Sequence, residues 1–165
     1  MTVVWVSCSF DFYLIGYEVK YFPGSLDLNQ LASLTAELLG YLSAGFLLTR
    51  WKAKLLFLVS FSMSAVAGTV IVIMGRRAEH FFVVLVLLAK FGVTGAFGAV
   101  YVAHPRMFPT LFSITSMGFA NFAARFATVF SPMIAEVEEP VPMAVFTALC
   151  IASALCSLCL KESKD

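Results

Sequence analysis

Six apolar stretches, each about as long as a bilayer is thick, leave this chain few ways to fold. They cover about 3–22, 28–49, 54–75, 80–103, 110–135 and 141–160, and charge, proline or glycine breaks separate them. A hydrocarbon core about 30 Å thick needs about 20 apolar residues per helical crossing. Lipid offers backbone groups no hydrogen bonds, so each stretch has to satisfy its own and is expected to be a helix. The expectation is an all-α membrane protein, a single transmembrane domain of six helices over 1–165, in contact with the lipid bilayer. Composition agrees: 61% of residues are hydrophobic and 13% charged, against about 45–50% and about 25% in a soluble domain. No length remains for a separate soluble catalytic domain. A net charge of +1 gives no basic surplus for phosphate neutralisation, so nucleic acid is excluded as a partner.

The expected connections are Pro23-Gly24-Ser25, Arg50 to Lys54, Gly75-Arg76-Arg77, His104-Pro105-Arg106, and Glu136 to Pro140, with a tail from Lys161 to Asp165. An even number of crossings puts both termini on one side. That side collects Arg50, Lys52, Lys54, Arg106, Lys161 and Lys164, and the other has Lys20, Arg76 and Arg77. The positive-inside rule places the richer side, with both termini, in the cytoplasm or its topological equivalent. The N-terminus has no basic lead-in, and Asp11 interrupts the apolar run a signal peptide would need, so Met1 is expected to open onto the first crossing. Cys8, Cys150, Cys156 and Cys159 all lie in apolar runs and read as small hydrophobes, including the Cys156/Cys159 pair.

Asp11, Glu37, Lys90 and Arg125 lie deep inside apolar stretches. A charge at the centre of a membrane helix costs about 2.5–3.5 kcal/mol on insertion scales, so these four must face one another or water. Two acids and two bases allow pairwise neutralisation, a structural reading. The other reading is an aqueous cavity in which at least one charge meets a solute. Asn121, one turn before Arg125, shares its face and is placed to hydrogen-bond a solute or a neighbouring helix.

Gly92, Gly95 and Gly98 recur every third residue of the fourth stretch. They are expected to line one side that admits a close backbone, either as static packing or as a rocking helix. Pro132 should bend or break the end of the fifth helix, because it donates no backbone hydrogen bond. Aromatic residues crowd the first stretch (Trp5, Phe10, Phe12, Tyr13, Tyr17, Tyr21, Phe22) and read as interface and packing residues or as a cavity wall. The chain has no Gly-x-Ser-x-Gly, no paired Asn-Pro-Ala, no carrier-type Pro-x-Asp/Glu-x-x-Lys/Arg repeat, no phosphate loop and no metal-ligand spacing. An enzyme is not expected, nor a cofactor or metal.

Ala89-Lys90-Phe91-Gly92-Val93-Thr94-Gly95-Ala96-Phe97-Gly98, followed by Tyr101, Phe108-Pro109-Thr110, Met117-Gly118-Phe119, Ala123-Ala124-Arg125 and Ser131-Pro132, resembles the tenth and eleventh helices of major facilitator transporters of the organic-ion type. Trp5 to Phe10 resembles the opening of that family's seventh helix, Ala36-Glu37-Leu38 its acidic eighth-helix position, and Leu160-Lys161-Glu162-Ser163 the ending after its twelfth. The resemblance covers nearly the whole chain and the C-terminal six-helix half of a twelve-helix fold.

The resemblance implies a solute path between two halves whose rocking gives alternating access. It implies that Arg125 binds the charge of a small organic ion, an anion rather than a cation, while Lys90 and Glu37 balance it. Asp11 would add a polar spot on the opposing wall, and Asn121 a hydrogen bond. Two family motifs depart. Thr49-Arg50-Trp51-Lys52-Ala53-Lys54 stands where the family has Asp-Arg-x-Gly-Arg-Arg, and Arg106 to Ser113 where it has Glu-Leu-Tyr-Pro-Thr-x-x-Arg. Those charges hold one access state in the family. A six-helix half also leaves its cavity face uncovered, so it needs a second half, a second copy or other membrane subunits. The chain then reads as one half of a split transporter, as a fragment of a longer product, or as a transporter-derived structural subunit of a membrane assembly.

Overall fold

The computed structural model describes residues 1–22, 25–74 and 79–160, without the side chains of 79–81 and 110. The expected breaks at Pro23-Gly24 and Gly75-Arg76-Arg77, and the tail after Leu160, lie outside the described residues. All regular structure among the described residues is helical. The helices are α1 (Thr2–Glu18), continued by a 3₁₀ turn (Val19–Tyr21), α2 (Leu26–Arg50), α3 (Ala53–Met74), α4 (Glu79–Met107), α5 (Thr110–Thr128), α6 (Ser131–Ala135) and α7 (Val141–Leu158).

Four segments are long and apolar enough to cross a membrane: Leu26–Arg50, Ala53–Met74, Phe82–Met107 and Val141–Leu158. The other two expected crossings fold as helices but are not among these. One is the 17-residue α1, which carries Asp11 and ends on Glu18. The other, 110–135, is split into α5 and the five-residue α6. Pro132 explains the split, since it has no N–H for the Thr128 carbonyl and its ring clashes with a continuing turn. At Pro105 the outcome is different. The sequence suggested a connection there, but α4 runs through Pro105 to Met107, losing one hydrogen bond in its final turn.

α4 packs against α2, α3 and α1, while α1 packs against α5, α7 and α4, and α3 meets α7. Exchanging α1 with α4, α2 with α5 and α3 with α7 maps these larger contacts onto one another, whereas the smaller α4–α5 and α2–α3 contacts have no such counterpart. Lipid tails are as apolar as leucine, so close packing of small residues rather than the hydrophobic effect holds such helices together. Ala89, Val93, Ala96, Val100 and Ala103, at three- and four-residue spacing along α4, are all fully buried. The glycines of α4 do not line one side, as their spacing had suggested. A Cβ on Gly92 would run into Ser64 and the Ser60 carbonyl of α3, whereas one on Gly98 would lie 2.9 Å from the Tyr41 ring of α2. A step of three residues falls short of a full turn by about 60°, so the stripe winds from one neighbour to the other.

The outer faces of two helices are uncovered. Leu31, Leu38, Leu42 and Phe46 on α2, and Leu111, Ile114, Phe122 and Phe126 on α5, are each more than 60% exposed. Faces this apolar require lipid or another helix.

Candidate functional site: a charged aromatic wall on α1, α2, α4 and α5

Lys90 is buried on α4, and its position follows from α1. Its Nζ donates to the Phe12 carbonyl at 3.2 Å, lies 3.8 Å from the centroid of the Phe12 ring, and sits 3.7 Å from Glu37 Oε2 on α2. Gly16 leaves room, since a Cβ there would be 3.7 Å from the ammonium. An ammonium over a ring face, with a carbonyl and a carboxylate beside it, is held by three attractive terms in a site of low dielectric. One expected base and one expected acid therefore neutralise each other.

Arg125 behaves differently. It is exposed on α5, and its Nη1 donates to the Tyr13 hydroxyl at 3.1 Å. Among the described residues it has no ion pair. Asn121, one turn earlier, is half-buried. Ser9 and Thr128 share a 2.9 Å hydrogen bond that ties α1 to α5 nearby. The full pairwise neutralisation allowed by the sequence is thus not what forms, because Arg125 meets a phenol instead of an acid.

Asp11 is not part of this wall. It is fully buried and accepts a hydrogen bond from Cys150 Sγ on α7 at 3.4 Å. The reason is helical geometry: about 100° per residue turns Asp11 away from Phe12 and farther from Tyr13. A polar spot opposite Arg125 has to come from elsewhere.

Phe12 stacks on Phe97 at 5.2 Å, Phe97 meets Tyr101 edge-on at 5.5 Å, and Tyr101 meets Trp5 at 4.6 Å. The α1 aromatics therefore divide, with Trp5 and Phe10 buried, Phe12 and Tyr13 half-buried on the wall, and Tyr17 and Tyr21 exposed. The row ends in a network the sequence reading missed. Trp5 Nε1 donates to His104 Nδ1 at 3.0 Å, His104 Nε2 lies 2.9 Å from Ser116 Oγ, and Ser116 donates to the Ser113 carbonyl at 3.0 Å. Indole is only a donor, so Nδ1 accepts and the neutral ring carries its proton on Nε2. The sequence places His104 in an expected connection with Pro105 and Arg106. The extension of α4 through Pro105 buries it, and nothing in local sequence signals that.

Of the cysteines, Cys8 and Cys150 are buried and Cys156 and Cys159 exposed, all four free. The described residues contain no group of His, Cys, Asp or Glu that could hold a metal ion.

No protein-family profile matches the chain. Curated proteins do. The chain is 25% identical over 164 residues to an organic cation transporter-like protein of Drosophila melanogaster, covering 98% of this chain and 29% of that protein. It is 25% identical over 170 residues to the organic cation/carnitine transporter 2 of Homo sapiens, with 98% and 29% covered. It is 24% identical over 169 residues to a solute carrier family 22 member 15-like protein of Xenopus laevis, with 98% and 35% covered. The chain spans about a third or less of the length of these relatives.

Proposed function

This chain is an integral membrane homologue of organic-ion transporters of the major facilitator type, matching part of their length, and from that premise we propose that it forms one half of a path for a small organic ion. The position of that part is read as the C-terminal six helices, with both termini on the cytoplasmic side. Arg125 is the observation that carries the proposal: an exposed guanidinium held by Tyr13 and free of acids among the described residues. A charge kept at an apolar helix face without a counter-ion is suited to a solute that brings one.

Arg125 argues for an anionic group on the solute, while the relatives' names speak of cations and carnitine. A solute with a carboxylate and a quaternary ammonium, as carnitine has, meets both. Its carboxylate faces Arg125 with Asn121 assisting, and its ammonium lies against the aromatic wall. Lys90 and Glu37 hold the wall's charge balance. The uncovered apolar faces of α2 and α5 take the second half, a second copy or other subunits. Non-enzymatic transport without a cofactor is the activity proposed.

The test is uptake of labelled carnitine by cells expressing the chain, with surface amount measured in parallel. Arg125→Ala should lower uptake roughly ten- to hundredfold, the loss of one charge-assisted contact, with Arg125→Lys recovering part. Unchanged uptake would remove Arg125 from the path. A second reading, a transporter-derived structural subunit, draws on the Lys90–Glu37 pair and on Asp11 being sealed away from any solute. It predicts a native complex in mild detergent in which unrelated subunits cover α2 and α5.

A further inference from the structure

One end of the bundle is tied through a single imidazole. His104 lies in the last turn of α4 and is 1% exposed. Its Nδ1 accepts the indole N–H of Trp5, from the first turn of α1, at 3.0 Å, and its Nε2 lies 2.9 Å from Ser116 Oγ in the second turn of α5. Ser116 in turn donates to the Ser113 carbonyl. Three helix ends thus meet on one ring. Trp5 is also the last member of the aromatic row that runs through Tyr101 and Phe97 to Phe12, beside Lys90.

The network works only with a neutral ring. Indole donates and does not accept, so Nδ1 has to keep a lone pair for it. A proton taken from water onto Nδ1 uses that lone pair and sets two N–H groups against each other. Turning the ring over gives no relief, because both nitrogens of an imidazolium donate. The Nε2–H bond to Ser116 survives the change. So does the contact with Phe108, which lies nearly parallel to the imidazole with centroids 4.6 Å apart and offers a ring face that attracts a cation. Protonation therefore breaks the α1 arm alone, and it adds the cost of a charge in a place closed to water. Both penalties are relieved when Trp5 withdraws and water enters. Among the described residues no carboxylate is in electrostatic reach to balance the charge. α1 presents Trp5 and the amino group of Met1, α5 presents Ser113 and Ser116, and on α4 itself Tyr101 packs on Trp5 while Arg106 is exposed.

We infer that His104 is a proton-operated latch: in its neutral form it holds the start of α1 to the α4–α5 pair, and on protonation it releases Trp5 and with it the end of the aromatic wall. An imidazole makes this change in the physiological pH range. The latch goes beyond the transport reading and needs neither Arg125 nor a transported solute.

The experiment is acrylamide quenching of Trp5 fluorescence in the full chain in lipid nanodiscs, with Trp51→Phe removing the other indole. Trp5 is fully buried, so little quenching is expected at about pH 8 and severalfold more at about pH 5. In the same background His104→Gln keeps an acceptor for the indole and a donor for Ser116 but does not titrate, and it should hold quenching low at both values. Ser116→Ala, at a half-buried position of α5, removes the second arm and should raise quenching at about pH 8, which keeps the test decisive should His104→Gln misfold. The inference is overturned if quenching in the Trp51→Phe chain is the same at both pH values, if it rises equally in folded His104→Gln, or if Ser116→Ala leaves it at the parent level. Failure of the Arg125 uptake test leaves these outcomes untouched.

Discussion

Alanine at Gly92 and at Gly95 makes a sharp pair, because the two positions share a helix and differ only in what lies above them. At Gly92 the new Cβ would stand 2.6 Å from the Ser60 carbonyl and collide with Ser64 Oγ. Ser64 can swing aside only by giving up its 3.0 Å hydrogen bond to the Ala89 carbonyl, and the Ser60 carbonyl belongs to the backbone of α3. Restoring an ordinary contact of about 3.4 Å moves α3 and α4 apart by about 0.8 Å, a gap that forfeits a quarter to a half of the dispersion energy of the facing atoms. Overpacking of this kind costs about 1–3 kcal/mol, partly offset by the gain of about 1 kcal/mol from replacing glycine inside a helix. At Gly95 the nearest atoms are Ser60 Oγ at 3.5 Å and the Gly40 carbonyl at 3.9 Å, so the propensity gain stands alone. Gly92→Ala should therefore be less stable than Gly95→Ala by about 2 kcal/mol, read from reversible unfolding in mixed micelles. Equal stabilities within about 0.5 kcal/mol would refute the close approach of α3 to α4, and with it the account of why α4 carries glycine at 92.

Two further predictions concern buried polar contacts. Trp5→Phe removes the donor to His104 Nδ1 and leaves a buried acceptor unpaired, which should cost about 1–3 kcal/mol; nitrogen NMR of the His104 ring should also show its proton no longer confined to Nε2. In a double-mutant cycle of Lys90→Met and Glu37→Gln, the 3.7 Å pair should appear as a coupling of about 1 kcal/mol, and a coupling near zero would mean that the Phe12 ring and carbonyl alone hold Lys90.

Four of the helices, α2, α3, α4 and α7, declare themselves by length and apolarity, and Pro132 announces the break after α5 because a missing N–H acts within its own turn. Lys90, Glu37 and Arg125 stand out for the same local reason, since a charge in an apolar run needs an explanation wherever the helix goes. Pro105 shows the limit, as a proline in a last turn is compatible with an ending or with a continuation.

What the sequence determined by itself is thus whatever depends on neighbours along the chain: helical periodicity, the breaks, and the presence of charges that lipid alone would not tolerate. The partners of those charges were decided only by the tertiary structure. Lys90 joins Glu37 across 53 residues, Arg125 reaches Tyr13 across 112, and Asp11 meets Cys150 across 139. Two acids and two bases admit two complete pairings of equal formal charge, and a rotation of about 100° per residue is enough to send Asp11 to α7 while Phe12 and Tyr13 face α4 and α5. The same holds for Glu18. Its carboxylate is ordinary in sequence, and it becomes a buried group without hydrogen-bond partners only once the chain has folded and α6 has packed against α1.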